Sequence, residues 1–215
     1  ADLKELGLVE NVAEGHLLAT LVDPVEGEAG RLVSGEPVPV ETARPGALKP
    51  GKNVTVSVDG REILAAINGR VILDRDGAIS VDDSYFVAGD VGPATGNVDF
   101  VGSVVVAGNV CADFRVKASA RVEIVGHVEA ATVEAGQEIV VRGGVFGGKR
   151  AFLTSPGDIT VKHAQDARLL AGGAIRVQES LIRVTAVAAR EILVESGAII
   201  GGTVSAPIVR AGALG

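Results

Sequence analysis

One short phrase recurs from Val98 to the C-terminus, and it leaves the chain few folds to choose from. An apolar residue is followed two positions later by a second, mostly small one, then by apolar residues six and eight positions on. It reads Val98–Phe100–Val104–Val106, Val116–Ala118–Val122–Ile124, Val133–Ala135–Ile139–Val141, Leu153–Ser155–Ile159–Val161, Leu169–Ala171–Ile175–Val177 and Ala186–Ala188–Ile192–Val194, and a seventh copy opens at Val209–Ala211. The copies are 18, 17, 20, 16, 17 and 23 residues apart. Alternation of this kind gives a strand one buried face. Its return at a short, nearly constant step is the signature of a solenoid, whose stacked turns present a long surface rather than a pocket.

The composition fits narrow stacked coils. Of 215 residues, 47% are hydrophobic but only 3% are aromatic, with no Trp and no Met. A core of Val, Ile, Leu and Ala follows. The 29 glycines are about twice the average share, as many tight corners require.

The net charge of −7 denies the chain the overall basic footprint that phosphate backbones need, and aromatic platforms for single strands are missing, so no nucleic-acid partner is expected. The single cysteine, Cys111, rules out an internal disulfide and any cysteine-based metal spacing. No apolar run approaches the length of a membrane span, and no leader segment is recognisable, so the expected location is cytoplasmic. The absence of an initial Met and the interrupted seventh copy read as a piece of a longer protein, truncated at its C-terminal side.

Residues 1–83 read differently, as a small antiparallel β domain. Strand segments 54–58, 61–67, 70–73 and 78–81 are separated by Asp59-Gly60, Asn68-Gly69 and Asp76-Gly77, whose residues supply positive φ for tight hairpins. This predicts a four-stranded meander. Leu17–Val22 adds another strand, the prolines between 36 and 52 predict extended loop, and Asp2–Leu6 is the one helix candidate. Residues 84–215 form the predicted solenoid of about seven coils. Phe86 and Val87 are expected to cover its first coil.

From Val98 to Val128 the anchors keep a six-residue period, which imitates the hexapeptide repeat of left-handed acyltransferases. The period then slips, and right-handed crossovers are the strong default for parallel strands. The fold expected is all-β, a right-handed single-stranded parallel β-helix preceded by the small antiparallel domain.

Motifs for chemistry are few. Gly143 to Lys149 has phosphate-loop spacing, but Arg150 stands where Ser or Thr would hold magnesium, and a strand pattern follows in place of a helix. His127 and His163 should point outward, with no partner carboxylate evident. Asp90, Asp99, Asp113, Asp158 and Asp166 read as scattered over different corners. Lys52 reads as a loop lysine rather than a carrier lysine, since the apolar flanks of a carrier hairpin are missing. No catalytic, cofactor-binding or metal residues are assigned. The one candidate contact site is the exposed, basic-tipped corner Gly147, Gly148, Lys149 and Arg150.

Several segments together resemble one family. Gly89-Asp90-Val91 followed by Thr95-Gly96-Asn97-Val98-Asp99-Phe100-Val101-Gly102 is similar to the opening signature of the flagellar assembly protein A family. Glu26-Gly27-Glu28-Ala29-Gly30, Gly35-Glu36-Pro37-Val38-Pro39 and Ala198-Ile199-Ile200-Gly201-Gly202 also resemble it, as does the run from Gly143-Gly144 to Gly147-Gly148. The resemblance implies a bacterial protein linked to flagellar assembly or cell-pole organisation, and it brings no catalytic residues with it. Its architecture is also similar to that of bactofilins, which polymerise end to end. The reading is therefore a non-enzymatic scaffold with protein partners. The alternatives are a polymer formed through the coil ends and a hexapeptide-type acyltransferase using His127 or His163.

Overall fold

The computed structural model describes residue 4, residues 10–38 and residues 46–214. The chain divides into two compact units, Val12–Asp82 and Ala1–Asn11 with Asp83–Gly215.

In the smaller unit, Asp59-Gly60 and Asp76-Gly77 each turn a hairpin, with Gly60 at φ 71° and Gly77 at φ 78°. Val54–Val56 pairs antiparallel with Glu62–Ala65, and Gly69–Leu73 pairs antiparallel with Ile79–Asp82. The predicted meander, however, is broken at Asn68-Gly69. The second edge of Glu62–Ala65 is taken by Leu17–Thr20, so Gly69–Leu73 starts a separate sheet. Asn68 does not tighten a hairpin; its Oδ1 accepts the Glu14 N–H at 2.8 Å. Val12, Ala65 and Val81 form the core, with Leu18, Val54 and Ile67 packed against it. Lys52 lies in a turn, and its backbone N–H donates to Ser80 Oγ at 3.0 Å. Of the proline-rich stretch, Pro37–Val38 pairs with Gly30–Arg31, while residues 39–45 lie outside the described residues. Apart from Lys4, so does the helix candidate at 2–6, and no helix occurs among the described residues.

The larger unit is a parallel β-solenoid of about seven turns, with three columns of strands. Two columns are those of the repeated phrase. Val98, Val116, Val133, Leu153, Leu169 and Ala186 stack in one. Val104, Val122, Ile139, Ile159, Ile175 and Ile192 stack in the other, followed on the same strands by Val106, Ile124, Val141, Val161, Val177 and Val194. The third column runs through Val91, Val110, Val128, Val145, Ala164, Leu181 and Ile199. It offers one buried anchor per coil instead of two, a weaker signal than the paired phrase. These anchors are between 0 and 6% exposed, so the interior is an aliphatic ladder, with each Val, Leu or Ile side chain contributing about 1.5–3 kcal/mol.

The small residues of the phrase stack above one another as well. Ser155 replaces alanine in that ladder and is the one buried polar residue described. Its hydroxyl donates to the Gln137 carbonyl at 2.7 Å and accepts the Gly157 N–H at 3.1 Å, which removes the penalty for burying it.

The first rung corrects one expectation. Ser84–Val87 is a full strand in register with Ser103–Val106, and Tyr85 lies over Val104. With Val87 facing inward, alternation forces Phe86 outward, where it is 61% exposed. Tyr85 is the residue that packs on the core, its ring 5.9 Å from that of Phe100.

Candidate functional site at the Gly147–Arg150 corner

Between the third column and the first, every coil turns through a left-handed residue. The series is Gly96, Asp113, Ala130, Lys149, Asp166, Arg183 and Gly201, with φ between 41 and 70°. Aspartate tolerates this region; Ala, Lys and Arg occupy it at a cost of roughly 1 kcal/mol each. The corner therefore repeats from coil to coil and aligns its side chains along the solenoid.

One coil is enlarged there. Phe146 is in register with Gln165 and Ala151 with Ala167, so the four residues Gly147–Arg150 stand opposite the single Asp166. The same is true against the preceding coil, where Glu129 matches Phe146 and Thr132 matches Phe152. Gly147 anchors the enlargement: a Cβ there would meet the Asp166 carbonyl oxygen at 2.1 Å, so only glycine lets the two coils close together. Gly148, Lys149 and Arg150 are exposed beyond it.

Charges gather around this protrusion. Arg150 forms an ion pair with Asp113, two coils away. Arg183 grips Asp166 with both arms of its guanidinium, Nε at 2.8 Å and Nη2 at 2.6 Å. That fork holds the Asp166 carboxyl down at about 2, against partial burial and with help from Gln165 and Lys149. Lys4 donates to the Asp113 carbonyl at 2.8 Å and lies 5.2 Å from the centre of the Phe114 ring. A groove of about 520 Å³ runs on one side of Arg150 and another of about 370 Å³ on the other. Asp113 and Asp166, expected on different corners, thus share one, because a coil of about 17 residues returns the chain to the same edge.

The histidines also differ from expectation. His127 Nε2 lies 3.1 Å from Glu129 Oε1, and His163 Nδ1 lies 3.6 Å from Glu179 Oε2, so each has a carboxylate beside it. Both rings meet the edge or face of Phe146, with centres 5.7 and 4.9 Å from its own. His127 and Glu129 flank the inward Val128 and so share an outward face by strand alternation, whereas neighbouring coils bring Phe146, His163 and Glu179 together.

The phosphate-loop spacing at Gly143 dissolves into the strand Ile139–Ser155. Cys111 is partly exposed, and burial raises its thiol, with Asp90 and Glu129 adding to the effect. Among the described residues, no group of three or more His, Cys, Asp or Glu is placed to hold a metal ion.

The turn between the first and second columns carries an ion-pair ladder. Asp158 accepts the Ala174 N–H at 2.9 Å and pairs with Arg176 and Arg190 at 2.7 and 2.6 Å. Partial burial pushes its carboxyl up, but the amide and the two guanidinium groups outweigh it and hold it at about 2.

Comparison with protein families settles the chain's relationship. Residues 83–215 match the Flagellar Assembly Protein A beta solenoid domain, and residues 1–76 match the Flagellar Assembly Protein A N-terminal region. The chain belongs to the flagellar assembly protein A family. The family is one of flagellar assembly, and its solenoid domain spans the enlarged corner and, Lys4 apart, the residues that line the two grooves. No curated protein and no solved structure gives a significant match. No helix among the described residues is long and apolar enough to cross a membrane.

Proposed function

We propose that this chain is a non-enzymatic scaffold of bacterial flagellar assembly or cell-pole organisation, acting in the cytoplasm. It would present the enlarged corner Gly147, Gly148, Lys149 and Arg150 to protein partners. The observation that supports the reading is the insertion itself: one coil spends four residues where the next spends one, with Gly147 buried against Asp166 and Gly148, Lys149 and Arg150 exposed beyond it, the last two basic. A solenoid with a continuous aliphatic core needs no such enlargement for its own packing. Stacked coils also hold a protruding corner rigidly, which limits the conformational entropy lost on binding.

The test is complementation in a strain from which the gene has been deleted. Full-length protein with Lys149→Glu and Arg150→Glu should be present at normal level and fail to restore swimming. Lys162→Glu, on another face, should restore it. Full restoration by the corner variant would contradict the proposal.

A further inference from the structure

We infer that the two grooves flanking Arg150 form a dock for an acidic peptide segment of a partner protein. The inference rests on the scaffold reading above and gives its contact site a partner chemistry.

The charge balance at the site is opposite to that of the chain. Lys4, Arg115 and Arg150 line the larger groove with Asp113, and Lys149, Arg150, Arg168 and Arg183 line the smaller one with Asp166. Six cations face two carboxylates on a chain whose net charge is −7. Such local reversal in an acidic protein attracts an anionic partner to one place and repels it elsewhere. Two of these cations, Lys149 and Arg168, hold no ion pair among the described residues, and both are exposed.

The groove already shows what it recognises. The fork of Arg183 on Asp166 is a carboxylate held by two parallel hydrogen bonds, and Arg150 holds a second carboxylate on Asp113. Spacing agrees with a peptide. Arg115, Thr132, Phe152 and Arg168 occupy one outward row on successive coils. At about 4.8 Å per rung, the row from Arg115 to Arg168 spans about 14 Å, the reach of four or five extended residues. Phe152, half-buried in the middle of the row, gives such a segment an apolar seat.

A nucleic acid fits less well. A long phosphate backbone would run off the patch onto the acidic remainder of the surface. The ring of Phe114 is covered by Lys4, so it is no stacking platform.

Fluorescence anisotropy of labelled deca-glutamate, deca-lysine and deca-uridylate, titrated with the full chain, tests this. Deca-glutamate should bind saturably and deca-lysine should not. Affinity should fall as salt rises from about 50 to about 300 mM. Lys149→Glu with Arg168→Glu should weaken glutamate binding about tenfold or more, with an unchanged unfolding midpoint, whereas Lys162→Glu should not. Absence of saturable glutamate binding, equal binding by the double variant, or tighter binding of deca-uridylate would overturn the inference. Failure here combined with loss of swimming in the Lys149→Glu, Arg150→Glu strain leaves the scaffold reading standing. Glutamate binding combined with full swimming in that strain does the reverse.

Discussion

The imidazole of His163 lies across Gly144 on the neighbouring coil, so close that a Cβ on Gly144 would fall 2.1 Å from Nε2. At Gly136 the same missing Cβ would fall 2.0 Å from the backbone oxygen of Ser119. The distances are alike and the consequences are not. A half-buried ring can rotate about its side-chain bonds, but the backbone at a stacked corner cannot move without its neighbours. Gly144→Ala should therefore cost under about 1 kcal/mol. Gly136→Ala should cost about 2–3 kcal/mol or more. Urea midpoints of the two variants decide; equal losses would refute the distinction.

The aliphatic ladder predicts a sharp difference between neighbours. Ile159 is fully buried, between Ile139 and Ile175. Ile159→Ala should destabilise by about 3 kcal/mol or more, because stacked rungs collapse poorly into a cavity. Thr160, which faces outward on the same strand, should tolerate alanine within about 0.5 kcal/mol.

Acid should weaken the ion-pair ladder in a defined range. Asp158 titrates at about 2 in the folded chain, below the ordinary carboxylate value near 3.9. A depressed folded value means that the stabilisation is fully present above about pH 4 and is lost as pH falls toward 2. The side chain is 26% exposed, so about 1–2 kcal/mol is at stake after allowance for solvent screening. Asp158→Asn should be less stable at neutral pH and should lose less between pH 4 and 2, which unfolding curves over that range would measure.

Much of this was legible in the residues. In its first six copies the paired phrase marks two strand columns and their inward anchors, since Val, Ile and Leu at period two have few other uses. The seventh copy does not open at Val209–Ala211 as expected: Val209 stacks on Ile192 in the second column, and Val204 is the residue that stacks on Ala186 in the first. The third column is legible at Val110 and Val128, which the six-residue period includes, but not at Ala164 or Ile199, where the period has slipped and each coil offers a single anchor. The expected meander breaks at Asn68 because local turn chemistry does not reveal that Leu17–Thr20 already occupies the neighbouring edge. At Phe86, hydrophobicity pointed inward while alternation, set by Val87, pointed out. The basic tip at Lys149 and Arg150 was readable as a sequence feature. Its partners Asp113 and Asp166 and the neighbouring cation Arg168 were not, because they are brought to it by the length of a turn and lie up to 37 residues away.

The coil containing Gly147–Arg150 bulges outward and then returns to register. Site-directed disulfides in a Cys111→Ser background test it directly. With the bulge, Thr132 faces Phe152 across adjacent rungs at about 4.8 Å, within disulfide reach. Without it, a regular coil of 17 residues, like the one from Arg115 to Thr132, would set Thr132 against Lys149. The Thr132→Cys, Phe152→Cys protein should oxidise to an intramolecular crosslink and the Thr132→Cys, Lys149→Cys protein should not. A crosslink in the second and none in the first would contradict the protruding corner and the dock built on it.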